Sequence, residues 1–164
     1  MTDKVYNVLF VCTGNSARSI LAEGLLKHLA RGRFAAYSAG SHPSGTVNPF
    51  ALKTLQALSI PTDGLRSKSW GEFAEAGAPV LDFVFTVCDN AAGETCPVWP
   101  GQPMTAHWGV PDPAAAEGAD DDKARVFMST AITLKRRIEL MFSLPIASLD
   151  AMALQREITV IGKA

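Results

Sequence analysis

The chain has no uninterrupted apolar run of about 18 residues, the length that a membrane-spanning helix needs. Its first residues also lack the charged and apolar regions of a signal peptide, so we expect a cytoplasmic protein with no membrane partner. Neither charge sign is in excess, since 15 Lys and Arg face 16 Asp and Glu. This balance disfavours a nucleic-acid partner. Cysteine is scarce, and three cysteines favour catalytic or metal chemistry over a disulfide framework.

The composition is that of one globular domain, with 48% hydrophobic and 19% charged residues. We expect a single domain over residues 1–164. The apolar pattern predicts strands over 6–11, 34–38, 81–87 and 104–108. It predicts helices over 19–30, 49–58, 70–75, 124–142 and 147–161. Strands that alternate with helices indicate a three-layer α/β/α fold with a four-stranded parallel sheet.

The loop between the first strand and the first helix is a candidate oxyanion site. Its backbone N–H groups and the helix N-terminus can converge on one centre. That field should hold the pKa of Cys12 well below the ~8.5 of a free thiol and make it a nucleophile. Arg18 can grip two oxygens of a tetrahedral anion, and Gly14 should take a backbone conformation closed to residues with a Cβ. The predicted oxyanion-binding residues are Thr13, Gly14, Asn15, Ser16, Ala17, Arg18 and Ser19.

Three further residues carry possible chemistry. Asp112 precedes a proline on a stiff, extended turn, which suits a general acid that must reach a neighbouring loop. The alternative is that Asp112 only starts a turn. Cys88 follows the third predicted strand, where it is either a second reactive thiol or a core residue. Cys96 lies in the predicted loop over 90–103 as a reactive or an incidental surface thiol. The Cys88 to Cys96 spacing is too loose for a zinc ribbon, and the histidines show no ligand spacing, so we predict no metal.

Four segments, 11–19, 37–40, 86–88 and 107–113, resemble the low-molecular-weight tyrosine phosphatase superfamily and, within it, the arsenate reductase branch. The resemblance extends over most of the chain, to about Phe142. It implies that Cys12 attacks the arsenic of a bound arsenate, while the loop amides and Arg18 hold the oxygens. It also implies that Asp112 protonates the departing oxygen.

The same resemblance implies a disulfide relay that serves arsenic detoxification. Cys88 would attack Cys12 and expel arsenite as a Cys12–Cys88 disulfide forms. Cys96 would then attack this disulfide, and thioredoxin would reduce the resulting Cys88–Cys96 disulfide. The interval between Cys88 and Cys96 is one residue longer than in thioredoxin-coupled members, which leaves glutathione with glutaredoxin as an alternative donor. We expect no tightly bound cofactor, phosphate as a competing anion, and a monomer.

Some relatives hold a potassium ion near the loop, and Asn15, Glu23 and Ser38 match three of its ligand positions. The fourth position, an Asp in those relatives, is replaced around Lys68. An ammonium group there can take the place of the cation, so we predict no potassium requirement.

Two other functions stay open. The first is a low-molecular-weight protein tyrosine phosphatase, although alanines 114–116 stand where that branch carries tyrosines that flank the substrate ring. The second is a non-catalytic redox sensor, which would leave Arg18 and Asp112 unexplained. His107 and Trp108 are interpreted as a hydrogen-bonded strand-end residue and a core or site-wall residue.

Overall fold

The computed structural model describes residues 4–88, 99 and 101–164. The strands in these ranges are β1 (Tyr6–Cys12), β2 (Phe34–Gly40), β3 (Phe83–Thr86) and β4 (Met104–His107). The α-helices are α1 (Arg18–Leu29), α2 (Pro49–Ala57), α3 (Asp120–Phe142) and α4 (Ala151–Ile161). Short 3-10 helices cover Trp70–Phe73, Pro113–Ala115 and Ile146–Ser148. None of the helices in these ranges combines the length and the apolarity that crossing a membrane requires.

The four strands form one sheet in the order β2-β1-β3-β4, and every neighbouring pair is parallel. This confirms the α/β fold with a four-stranded parallel sheet. Residues 8–11 of β1 are fully buried, as expected for a central strand whose two faces are both covered. Because all strands are parallel, their carboxyl ends meet at one edge of the sheet, where Cys12 ends β1 and Cys88 follows β3.

Several predicted element ends are displaced, each for a local reason. Strand β3 is shorter than predicted because its register with β1 covers only 83–86, opposite 8–11. Helix α3 begins four residues early, at Asp120, since acidic side chains suit the positive end of a helix. Helix α4 begins at 151 rather than 147 because the Asp150 carboxylate caps it by accepting the Ala153 N–H at 2.8 Å.

Trp108 is the largest fully buried side chain and ties the C-terminal helix to the sheet. Its ring stacks on Phe85 with the centroids 3.9 Å apart. Its indole N–H donates to the carbonyl of Ile158 in α4 at 2.9 Å, which satisfies the one polar group of the ring. Trp108 is therefore a core residue, as its sequence context indicates.

Candidate active site

The loop between β1 and α1, residues 13–17, is held by backbone hydrogen bonds from the segment 41–48. The carbonyls of the loop accept backbone N–H groups at 2.9 to 3.3 Å, in the pairs Ser41 to Cys12, His42 to Thr13, Ser44 to Gly14 and Asn48 to Ser16. In a trans peptide the N–H points away from the preceding carbonyl. The N–H groups that follow these carbonyls therefore face the concave side of the loop. Ala17 cannot cap α1 through its side chain, so the first N–H groups of the helix are also available to an anion.

Asn15 is the residue that bends the loop. Its φ of 47° lies in the left-handed region, and its side chain is fully buried. The side-chain amide donates to Ser19 Oγ at 2.8 Å and to Ser38 Oγ at 3.0 Å. These bonds brace the loop against α1 and β2, a role for which an Asn amide is suited.

The expectation for Gly14 is wrong. Gly14 does not take the left-handed conformation, and a Cβ there would meet Ser16 Oγ at 3.9 Å, an ordinary contact. The glycine that the loop does require is Gly40, at the end of β2. A Cβ at Gly40 would overlap the carbonyl oxygen of Thr13 and lie 3.0 Å from the backbone nitrogen of Asn15. The segment 37–40 is one of the four that carry the family resemblance. The close approach of its backbone to the loop explains why it ends in glycine.

Cys12 and Cys88 are buried, unbridged thiols in hydrogen-bonding contact with each other. Each side chain is at most 5% exposed. The hydroxyl of Thr13 lies 3.6 Å from the Cys88 sulfur. The structure thus places the second thiol directly beside the first, where β1 and β3 end.

The expectation of a low pKa for Cys12 is also wrong. The hydrogen bond with Cys88 raises the pKa of the Cys12 thiol above its ordinary value, and burial adds to the rise. Arg18 and the backbone N–H of Thr13 act in the opposite direction but are outweighed. Two thiols in contact cannot both ionise readily, so the pair holds one proton more tightly than either thiol would alone.

Arg18 connects the loop to the residues that follow β4. One guanidinium nitrogen donates to the carbonyl of Val110 at 3.1 Å. The other lies 3.8 Å from Asp112 Oδ2. The second carboxylate oxygen of Asp112 accepts the N–H of Ala114 at 3.0 Å and caps a 3-10 helix. One oxygen of Asp112 thus serves the turn, and the other faces the site from a half-exposed side chain.

The structure brings together four of the five predicted catalytic residues, namely Cys12, Arg18, Cys88 and Asp112. The fifth, Cys96, lies outside the described residues. His107 sits at the end of β4 with Nδ1 2.8 Å from the Thr86 hydroxyl. Within the described ranges, no three His, Cys, Asp or Glu side chains gather closely enough to hold a metal ion.

Lys68 reaches the group of side chains that match the potassium ligands. Its ammonium group donates to the backbone carbonyls of Ser38 and Arg66, both at 2.8 Å, and lies 3.7 Å from Glu23 Oε1. Glu23 in turn accepts the hydroxyl of Ser38 at 2.5 Å. Burial lowers the pKa of Lys68, with Glu23 opposing the change. The ammonium group of Lys68 therefore lies among side chains that match the potassium ligands, as the replacement of a cation requires. The lack of a potassium requirement stays a prediction.

A buried thiol beside a loop of inward N–H groups, with an arginine and an aspartate nearby, is typical of enzymes that work on tetrahedral oxyanions through a cysteine. The family described as low molecular weight phosphotyrosine protein phosphatase matches residues 7–155. The chain belongs to this family.

Arsenate reductases are among its relatives. That of Halalkalibacterium halodurans is 37% identical over 132 residues, which are 80% of this chain and 91% of the relative. The solved structure of an arsenate reductase in the phosphate binding state has a TM-score of 0.63 at 30% identity, covering 82% of this chain and 95% of that one. The low molecular weight protein tyrosine phosphatase of T. tengcongensis also has a TM-score of 0.63, at 25% identity, covering 85% of this chain and 99% of that one.

Proposed function

We propose that this protein reduces arsenate to arsenite with the two electrons of Cys12 and Cys88. The observation that carries the proposal is the contact of these two thiols beside the loop whose N–H groups face inward. Hydrolysis of a phosphate ester needs one thiol, whereas a two-electron reduction needs a second thiol within reach. Relatives at 33 to 37% identity that bear the name arsenate reductase support this choice. A similar structure in a phosphate binding state supports a site for tetrahedral oxyanions.

In the first step the Cys12 sulfur attacks arsenic(V). A sulfur–arsenic bond forms and an arsenic–oxygen bond breaks, while Asp112 gives its proton to the departing oxygen, which leaves as water. The proton that the two thiols share passes to Cys88 as the Cys12 sulfur attacks. The inward N–H groups and Arg18 hold the remaining oxygens and stabilise the charge that develops on them.

In the second step Cys88 attacks the sulfur of Cys12. A disulfide forms, and the electron pair of the sulfur–arsenic bond moves to arsenic, which leaves as arsenic(III). The proton of Cys88 goes to the departing arsenite. Once the Cys12 sulfur is bound to arsenic, it cannot carry a thiolate charge beside Cys88, so Cys88 can ionise.

A relay through Cys96 completes the proposed cycle. The Cys96 thiolate attacks Cys88, which frees Cys12, and an external dithiol then reduces the Cys88–Cys96 disulfide. Thioredoxin is the proposed donor, with glutathione and glutaredoxin as the alternative. The protein would act as a cytoplasmic monomer without a tightly bound cofactor, in the detoxification of arsenic.

A protein tyrosine phosphatase is the second candidate, and the family match favours it. The residues after Asp112 argue against it, because a 3-10 helix of Pro113–Ala115 presents only small side chains there. Such a surface offers nothing to flank an aromatic substrate ring. Weak hydrolysis of aryl phosphates is compatible with either function, since phosphate and arsenate share shape and charge.

The test is arsenite production from arsenate with thioredoxin, thioredoxin reductase and NADPH. The wild type is compared with Cys88→Ser and Cys96→Ser, and glutathione with glutaredoxin replaces thioredoxin in a parallel reaction. We expect turnover in the wild type and its loss in both variants with thioredoxin. Turnover only with glutaredoxin would keep the reductase and change the donor. Absence of arsenite with both donors, together with rapid aryl phosphate hydrolysis, would establish the phosphatase instead.

A further inference from the structure

The segment that carries Asp112 is held by two arginines at consecutive carbonyl groups. We call residues 108–112 the acid segment. Arg137, on α3, donates through Nη1 to the carbonyls of Trp108 at 2.7 Å and Gly109 at 3.1 Å. Arg18 takes the next carbonyl, that of Val110. The acid segment is therefore fixed on one side by the anion-binding arginine and on the other by an arginine that the mechanism does not use.

Arg137 is buried, with a relative exposure of 6%, which lowers its pKa. A buried guanidinium is costly unless its N–H groups are satisfied. In addition to Nη1, its Nε donates to the backbone oxygen of Ala164 at 3.2 Å. Arg137 thus links the last residues of the chain to the start of the acid segment.

Helix α4 brings the chain to this position by packing along β4. Gln155 donates to the carbonyl of Thr105 at 2.8 Å, and the carbonyl of Ile158 accepts the indole N–H of Trp108. A Cβ on Gly162 would overlap the carbonyl oxygen of His107. The end of α4 therefore lies directly against the backbone from which the acid segment departs.

Val110 is buried in the core and α3 packs on the 3-10 helix that follows Asp112, but residues 109–111 do not pack closely on α3. A cavity of about 250 Å³ separates residues 109–111 from the face of α3 formed by Val126, Thr130 and Arg137, among others. Close packing holds a segment in place, so residues that border such a space are held less firmly by it. Among the described residues, the hydrogen bonds that join the acid segment to α3 are those of Arg137.

We infer that Arg137, supported by α4, is a positioning residue for Asp112. The inference rests on the proposed role of Asp112 as the general acid. Loss of the guanidinium should release the carbonyls of Trp108 and Gly109, let the segment move into the cavity, and withdraw the Asp112 carboxyl from the leaving oxygen. The loop around Cys12 should keep its structure.

Hydrogen exchange tests the structural part of this inference. In Arg137→Met we expect faster exchange of the amides of Trp108 and Val110, which in the wild type donate to the carbonyls of Thr86 and Val87. Exchange in β1 and α1 should stay unchanged, which also shows that the variant is folded. Arg137→Lys keeps the charge without the fork and should show a smaller change. Arg136→Met, which removes an exposed charge next in the chain, is the matched control.

Aryl phosphate hydrolysis tests the catalytic part. The first step forms a bond from the Cys12 sulfur to phosphorus, breaks the ester bond and transfers the Asp112 proton to the phenol oxygen, and water then cleaves the sulfur–phosphorus bond and releases phosphate. Loss of the acid should therefore affect an ester of a weakly acidic phenol more than an ester of nitrophenol. The measured ratio is kcat/KM for the ester of the weakly acidic phenol divided by kcat/KM for the nitrophenol ester. We expect Arg137→Met to lower this ratio at least roughly tenfold, which is part of the 10²–10⁴-fold effect of a general acid. Asp112→Asn should lower it further, and inhibition by phosphate should be unchanged in Arg137→Met.

The outcomes separate the inference from the proposed function. Unchanged exchange in 108–112, or a lowered ratio in Asp112→Asn but not in Arg137→Met, would overturn the positioning role alone. If Asp112→Asn leaves the ratio unchanged, the acid role fails, and exchange still decides whether Arg137 holds the segment. If neither ester is hydrolysed by the wild type, the exchange result decides by itself.

Discussion

The contact between Cys12 and Cys88 accounts for a thiol that is less acidic than its loop alone predicts. Replacing Cys88 with alanine removes the largest contribution that raises the pKa of Cys12 and leaves Arg18, which lowers it. Because the thiolate is the reactive form, alkylation of Cys12 by iodoacetamide at pH 7 should become faster in Cys88→Ala. Its pH–rate profile should move to lower pH.

This prediction is measured by site-resolved mass spectrometry in a Cys96→Ala background, with Cys96→Ala alone as the matched control. The background removes the remaining thiol, so that only Cys12 and Cys88 contribute. A profile that stays in place, or moves to higher pH, would contradict the shared proton.

The two glycines near the loop should respond differently to alanine. Gly40→Ala forces a Cβ against the backbone of Thr13 and Asn15, and overpacking of this kind costs about 1–3 kcal/mol. Gly14→Ala meets no close contact and should be neutral or slightly stabilising, because it reduces the freedom of the unfolded chain. Urea unfolding of both variants measures the difference. Equal losses would show that the loop does not depend on the approach at Gly40.

Lys68 should contribute more to stability than Lys27, although both lie within 4 Å of Glu23. The Lys68 and Glu23 side chains are at most 8% exposed, whereas Lys27 is 55% exposed. Lys68→Met removes the buried partner of Glu23 and leaves that carboxylate with the exposed Lys27 as its ion-pair partner, and the loss of a buried partner costs up to roughly 3–5 kcal/mol. Lys27→Met removes an exposed pair worth about 1 kcal/mol or less. Urea unfolding gives both values, and similar values for the two variants would contradict this account of the pair.

The same unfolding experiment addresses the cation. With the ammonium group of Lys68 among Glu23 and Ser38, wild-type curves in potassium chloride and sodium chloride should coincide. A stabilisation of the wild type specific to potassium would show that a cation still binds there.

Among the larger elements, the strand-loop-helix unit of β1 and α1 is well predicted because its signals are local. Apolar residues of β1 and the helical spacing in α1 lie within thirty residues of sequence. The support of the loop by segment 41–48 is not predictable in this way. Its hydrogen bonds join backbone groups about thirty positions apart, and backbone groups leave no residue-type signal.

Arg137 shows a signal that sequence reasoning missed. It lies three residues after Leu134 and four before Met141, both fully buried, so it shares their face of α3. An arginine on an apolar face is buried with its partners or disrupts the helix. Its partners, however, are carbonyls of residues 108 and 109, and only the fold identifies them.

The caps of α2 and α4 offer a paired test of segment 41–48. Asn48 caps α2 by accepting the N–H of Phe50 at 2.8 Å, and its own N–H holds the carbonyl of Ser16. Asp150 caps α4 away from the loop. Each change to alanine should cost about 1 kcal/mol of unfolding free energy. Titration calorimetry with phosphate should show weaker binding in Asn48→Ala but not in the Asp150→Ala variant. Equal phosphate binding in both variants would show that the cap of α2 does not support the loop.

At the level of the whole molecule, the parallel sheet explains why distant residues form one site. Cys12 ends one strand, and Cys88 and Asp112 follow its two neighbours on one side in the sheet, so their convergence is predictable from the alternation of strands and helices. The direction in which the pKa of Cys12 is shifted is not predictable from the loop alone. It depends on the contact with Cys88, 76 positions away, which reverses the effect of the loop and of Arg18.

The most direct test of the account is a single turnover of the fully reduced protein with arsenate and no external reductant. Arsenite released per chain is quantified, and mass spectrometry maps the disulfide that forms. The two thiols alone can supply two electrons, so the account predicts one arsenite per chain and a disulfide that involves Cys88. Cys88→Ser should release none, and Cys96→Ser should still release one and retain a Cys12–Cys88 bond. Arsenite release without Cys88, or no release from the wild type, would contradict the role given to the paired thiols.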